Sequence, residues 1–258
     1  MDPCLGEWAI DDINPQKDIR MAMPSRRLDG FGIEQLATPV FPGVYSPGEQ
    51  GHYETDHGYY RALINLLEPQ VGEEALVVGP GVGLEVWALG LFTGNPVYAY
   101  ALRYREAVNA ALTASIGGIP AHVFVRDNII NSQGKPHLPK KLFDIIVWNM
   151  PGYSSGKDQR TMARDDWDGD PQGRAMKRLA RGLRQVLKPE GRLLIWNWSS
   201  TVEDAKTKEK RDVVFEILRS EGSYDGRTGT RPKKPLINVQ TFPHYPNVYL
   251  ATFPENRL

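Results

Sequence analysis

The chain predicts an α/β protein with a doubly wound sheet, helices on both faces and proline-rich terminal extensions. Three observations carry that expectation. Short apolar runs alternate with helical stretches through the middle of the chain. A glycine-rich turn joins the first clear strand to the helix after it. Prolines gather at the ends, six of twenty before residue 50 and five after residue 230. Alternating strands and helices favour a mostly parallel sheet covered on both sides. Proline removes backbone donors, so the ends should hold loops, short strands or lids.

The elements follow in order. Thr55 and Asp56 can cap a helix to about Leu67, with Tyr59, Tyr60, Leu63 and Leu67 at helical spacing and Pro69 beyond its end. Ala75–Val78 is a short apolar run of the buried-strand type, ending in glycines. Leu84 to Leu91 suits a helix and Val97 to Leu102 a second strand. Arg103 to Ile116 reads as a helix stopped by Gly117 and Gly118. His122 to Val125 and Phe143 to Trp148 supply the third and fourth strands. From Gln172 to Leu187, Met176, Leu179, Ala180, Leu183, Val186 and Leu187 share one helical face, while Lys177, Arg178, Arg181 and Arg184 turn outward. Pro189 and Gly191 punctuate that stretch, and Leu193 to Trp198 forms a fifth strand. Ser200 to Glu203 matches a capping box that opens a helix through about Ser220. Asn247 to Phe253 is a final strand.

Length and composition bound the function. With 258 residues, 41% of them hydrophobic, the chain can bury a substantial core. The expected division is an amino-terminal extension at 1–54, a lid or substrate-binding segment, and a regular domain at 55–258. Thirty-one basic residues balance thirty-one acidic ones. That balance gives no general attraction to phosphate backbones or anionic membranes, and no aromatic interleaving accompanies the basic run from Arg174 to Lys188. Neither a nucleic-acid nor a membrane partner is expected. The lone Cys4 cannot form an internal disulfide. Met1 to Ile10 carries Asp2 and Glu7 and no basic residue, unlike a secretory leader, and a cytoplasmic location is expected.

The sharpest local feature is Val77-Val-Gly-Pro-Gly-Val-Gly83. Glycines let a backbone turn tightly and approach a ligand without a β-carbon in the way, and the following helix start offers unpaired donors. The spacing Gly79, Gly81, Gly83 differs from the G-x-G-x-x-G dinucleotide pattern, and no acid ends the second strand. His52 and His57 are five residues apart and do not share a helical face, so no metal is expected.

Taken together, the stretch from about Thr55 to Trp198 resembles class I S-adenosylmethionine-dependent methyltransferases. It is most similar to the small methyltransferase domain of the release-factor glutamine N-methyltransferase kind. Val77 to Gly83 resembles the glycine-rich first motif, and Val125-Arg-Asp127 the "GD" after the third strand. Phe143-Asp-Ile-Ile-Val-Trp-Asn-Met-Pro-Gly-Tyr153 is similar to "FDLIVSNPPY". Asp168 to Gly173 followed by Leu187-Lys-Pro-Glu-Gly-Arg-Leu-Leu194 is similar to a "DG…LkPGGxLL" run. The resemblance implies a Rossmann-like seven-stranded sheet that binds S-adenosyl-L-methionine. The chain departs from the pattern at Val77 and at Ala101–Leu102, where the family carries acids. Glu85, Glu106 or Glu54 could hold the cofactor ribose instead, or water and backbone groups could do so.

On that resemblance Gly79, Gly81, Gly83, Glu85, Asp127, Asn128 and Asn149 are the cofactor-binding candidates, with Asp127 facing the adenine. Asn149 and Tyr153 are the catalytic candidates. Pro151, Trp167, Tyr45 and Tyr53 are the substrate candidates, while Trp148 and Trp196 are assigned to the core. The Asn149 carbonyl and the backbone carbonyl of Met150 or Pro151 could accept the hydrogens of an amide or amine and aim its lone pair at the methyl group. The expected activity is therefore N-methyl transfer, to a small molecule ahead of a protein. Two other readings keep the fold: cyclisation of S-adenosylmethionine with release of methylthioadenosine, as in azetidine-2-carboxylate synthases, and a non-catalytic binding protein.

Overall fold

A computed structural model describes residues 20–22, 38–41, 44, 63–126, 129–131, 133, 135–138, 141–150, 174–197, 201–203, 210–221, 237–243 and 245–254. In chain order the elements are β1 (Arg20–Ala22), β2 (Thr38–Val40), α1 (63–67), β3 (Ala75–Val78), α2 (Leu84–Thr93), β4 (Val97–Ala101), α3 (Tyr104–Ile116) and β5 (Ala121–Val125). They continue with β6 (Phe143–Met150), α4 (Arg174–Gly182), β7 (Leu187–Asn197), β8 (Thr201–Glu203), β9 (Lys210–Asp212), α5 (Val213–Glu221), β10 (Asn238–Phe242) and β11 (Tyr245–Thr252).

Ala75–Val78 is apolar at every position because β3 is central and covered on both faces, and all four of its residues are buried. Seven strands lie in the order β10-β11-β7-β6-β3-β4-β5. The five from β7 to β5 are parallel, whereas β11 runs antiparallel to β7 and β10 antiparallel to β11. This is the expected doubly wound α/β architecture.

Side-chain alternation sorts the core into two layers. Val77, Ala99, Ile145, Val147 and Leu194 point to one face, where they meet Leu63 and Leu67 of α1 and Val86 and Leu89 of α2. Leu76, Tyr100, Ile146, Leu193 and Ile195 point to the other, against Met176, Leu179 and Leu183 and against Val214 and Leu218 of α5. The apolar stripe read along 176–187 is thus the stripe that packs. Trp148 and Trp196 are core residues, as expected.

One expected helix is corrected. In place of a helix opened by Ser200–Glu203, β8 and β9 form an antiparallel hairpin pairing Thr201 with Asp212, and α5 begins only at Val213. A capping box is a local signal. Here Thr201 and Val202 are β-branched, and the ladder to residues 210–212 takes the backbone groups a helix would have used. Strand β10 is an addition to the expected elements. It is an edge strand with a mostly exposed face and a bulge at Thr241/Phe242, so its apolar alternation is weak. No described helix is long and apolar enough to cross a membrane.

Candidate active site

The chain leaves β3 for β4 on one side and later returns as β6 on the other. That reversal is a topological switch point, and doubly wound sheets bind ligands beyond the carboxyl ends of the strands at such a point. Val78 lies opposite Trp148 in the β3–β6 register, so the residues that follow them, Gly79 and Asn149, meet at the carboxyl ends of the two strands. A β-carbon on Gly79 would come 3.3 Å from the Asn149 carbonyl oxygen. Two motifs far apart in the sequence therefore converge on one spot.

The crook itself is built from three glycines at positive φ, +66° at Gly79, +50° at Gly81 and +95° at Gly83. Residues with side chains rarely adopt such angles, which explains the sequence motif. Gly79 donates its N–H to the Tyr100 carbonyl at 2.9 Å, holding the start of the crook to β4. Gly83 donates to the Pro80 carbonyl at 2.7 Å and closes the turn. It also packs on α3, where an added β-carbon would fall 2.7 Å from Ala110 Cα. Helix α2 starts at the next residue, and no side chain caps it. Its first-turn N–H groups and its dipole favour an anionic or polar group at that end of the helix.

Asn149 is half-buried at the end of β6, paired in register with the buried Trp196 on β7. It falls on the same sheet face as Ile145 and Val147, the α2 side, by strand alternation. Glu85 is buried at 4% exposure in the first turn of α2. At the end of β4, Ala101 is buried and Leu102 exposed, so no carboxylate stands there. Glu106 is half-buried in the first turn of α3. Sequence reading passes over Tyr100, whose fully buried ring sits edge-on to Phe124 and His137 beside the crook. Burial pushes the pKa of its hydroxyl up to about 12, against an opposing pull from Arg126. Among the described residues that hydroxyl has no hydrogen-bond partner.

The structure brings Gly79 of the crook up to Asn149 at the end of β6, and Glu85 lies two residues past Gly83 in the first turn of α2. Asp127, Asn128, Pro151, Tyr153, Trp167, Tyr45 and Tyr53 lie outside the described residues, as do His52, His57 and Glu54. No group of three or more metal-ligating side chains occurs among the described residues. Sequence reading also misses Thr38, Asn109 and Thr113, three fully buried polar residues behind the crook. Polar residues on an otherwise apolar helix face, as at Asn109 and Thr113, are the available signal.

No protein-family model matches the chain, and no curated protein is found similar to it. Solved structures do resemble it. An S-adenosylmethionine-dependent methyltransferase from Aquifex aeolicus is 15% identical over 76% of this chain and 96% of its own, with a TM-score of 0.46. An rRNA methylase from Streptococcus thermophilus is 16% identical over 76% and 96%, also at 0.46. The YcgJ protein of Bacillus subtilis is 16% identical over 55% of this chain, at 0.39, and this chain spans 50% of its length. The rRNA methylase corrects one expectation. Zero net charge argues against a nucleic-acid partner, yet a neighbour in fold is named for RNA. Net charge describes the whole chain, whereas phosphate binding needs only a local surface.

Proposed function

We propose that this chain is an S-adenosylmethionine-dependent methyltransferase that delivers the methyl group to an amide or amine nitrogen. One observation carries the reading: the positive-φ crook of Gly79–Gly83 abuts Asn149 at the switch point of the sheet. The residues fit the cofactor. Gly79 lets the crook pass close to the Asn149 carbonyl, where a β-carbon would be crowded at 3.3 Å, and its positive φ turns the chain at the end of β3. The uncapped start of α2 offers donors to the polar end of the cofactor. Glu85, in its first turn, is the nearest described carboxylate along the chain for the ribose hydroxyls, since β4 ends without an acid.

The cofactor supplies an activated methyl on a sulfonium. The protein's part is placement, because an amide or aromatic amine holds its lone pair in conjugation and must be turned to present it. Asn149 can accept a hydrogen from that nitrogen through its side-chain oxygen and steer the lone pair. The nitrogen–carbon bond forms as the carbon–sulfur bond breaks, giving S-adenosylhomocysteine, and the surplus proton leaves to water. Well-aligned reactions of this kind gain up to roughly 7–11 kcal/mol from orientation. Asp127 and Asn128 are assigned to the adenine side and Pro151 and Tyr153 to the acceptor side, with Tyr45, Tyr53 and Trp167, from the 1–54 and 151–173 segments, as further acceptor contacts.

The test is product analysis by mass spectrometry after incubation with S-adenosylmethionine, with small-molecule, protein and RNA acceptors offered in turn. S-adenosylhomocysteine together with an N-methylated acceptor is the expected result. Methylthioadenosine formed without any acceptor would instead identify a cyclising enzyme. No turnover and no binding would leave a non-catalytic protein.

A further inference from the structure

Strand β2 is anchored to the crook by a continuous chain of buried hydrogen bonds. Asn109, on α3, treats β2 as a neighbouring strand would. Its side-chain oxygen accepts the Phe41 N–H at 2.8 Å, and its side-chain nitrogen donates to the Pro39 carbonyl at 2.8 Å. One helical turn further on, Thr113 donates its hydroxyl proton to the Val82 carbonyl at 2.6 Å. Thr38 lies 2.6 Å from the same Thr113 oxygen. Thr113 has a single proton, already given to Val82, so Thr38 is the donor between them. Thr38, Asn109 and Thr113 are all at 0% exposure.

The end of this relay is the crook. The Val82 carbonyl and the Gly83 N–H belong to one peptide plane. Thr113 holds its oxygen edge, and the Pro80 carbonyl accepts from its N–H edge at 2.7 Å. With both edges tied, the plane cannot rotate, and α2 is launched in one direction. Withdrawing β2 would remove the bond that the Thr113 oxygen accepts from Thr38, and with it the support that strengthens and orients the Thr113 bond to Val82. Val40, Val82 and Leu84 also share one apolar cluster, so the same withdrawal would open the packing beneath the crook.

We propose that Thr38, Thr113 and the Val82 carbonyl form a positioning relay through which docking of β2 and cofactor binding at the crook strengthen each other. The inference rests on the crook being the S-adenosylmethionine site. Because coupling is reciprocal, a ligand that favours the ordered crook must also favour docked β2.

The experiment uses the full chain and its Thr38→Val, Thr113→Val and Thr113→Ser variants. Calorimetric titration with S-adenosylhomocysteine is paired with hydrogen exchange of the ligand-free proteins. Thr38→Val and Thr113→Val should bind about tenfold more weakly, within the usual range for coupled sites. Thr113→Ser keeps the hydroxyl and should restore binding. In the ligand-free Thr38→Val protein, amides 81–86 should exchange faster although the substitution lies on another element. Should Thr113→Val fail to fold, Thr38→Val tests the far end of the relay alone. Lowered thermal stability with unchanged affinity and unchanged exchange at 81–86 would overturn the relay. If the unaltered protein binds no S-adenosylhomocysteine, the cofactor reading falls. The exchange at 81–86 then decides whether Thr38 orders the crook through Thr113, faster exchange supporting the relay and unchanged exchange overturning it.

Discussion

At the scale of the residue, Gly83 and Asn149 carry separable tasks. Gly83 has a φ of +95° and no room for a β-carbon against the Ala110 backbone. Gly83→Ala should therefore destabilise the chain by about 2–4 kcal/mol, combining conformational strain with overpacking. Urea denaturation reads this directly, and a loss below about 1 kcal/mol would mean that the crook relaxes freely. Asn149→Ala is expected to behave differently. It should lower kcat by about 100-fold, the usual scale for a misplaced reactant, with only a small change in S-adenosylhomocysteine affinity. A proportionate loss of affinity would reassign Asn149 to cofactor binding. The glycines are legible in the sequence because positive φ admits few other residues. Thr38, Asn109 and Thr113 are not. Thr113 bonds to Val82 across 31 positions and meets Thr38 across 75, and the sequence hints at this only through two polar residues on the apolar face of α3.

The elements divide their labour between the two ends of the sheet. The glycine crook and Asn149 gather at the carboxyl ends of β3 and β6, and ion pairs gather at the amino ends. Arg192 of β7 reaches both oxygens of Glu73 at 2.7 Å, Lys141 pairs with Glu74 at 2.9 Å, and Lys188 pairs with Asp144 at 2.8 Å. Asp144, one residue into β6, also accepts the Glu74 N–H at 2.8 Å and so clips β6 to the chain entering β3. Burial alone would raise the Asp144 carboxyl. The Glu74 N–H and Lys188, with Arg192 behind them, more than offset it and hold the group below the usual carboxylate range. A carboxyl lowered on folding stabilises the fold at pH above its unfolded pKa, and that contribution is lost as pH falls through the folded value. Asp144→Asn should therefore cost on the order of 1 kcal/mol at neutral pH, allowing for solvent screening. The gap to the unaltered protein should close on acidification, read by denaturant midpoints across an acid pH series. A gap that stays constant with pH would remove the charge from the explanation.

Strands and helices from Ala75 to Asn197 are readable because burial on both faces, or on one helical stripe, leaves strong apolar patterns. The hairpin of β8 and β9 and the edge strand β10 are not. Their identity is decided by pairing with distant backbone rather than by their own periodicity.

For the molecule as a whole, the two apolar layers fix the sheet. Strand β2 joins one of them through Val40, which shares an apolar cluster with Val82 and Leu84 of the crook and α2. This is why the zero net charge and the proline count say little about function: the site is a local convergence of backbone turns. In the proposed function the crook and the end of β6 form one adenosyl-sulfonium site. Hydrogen exchange of the intact chain with and without saturating S-adenosylhomocysteine tests it most directly. Exchange should slow at 78–86 and at 148–150 together; protection confined to other strands, or none at either stretch, would rule the shared site out.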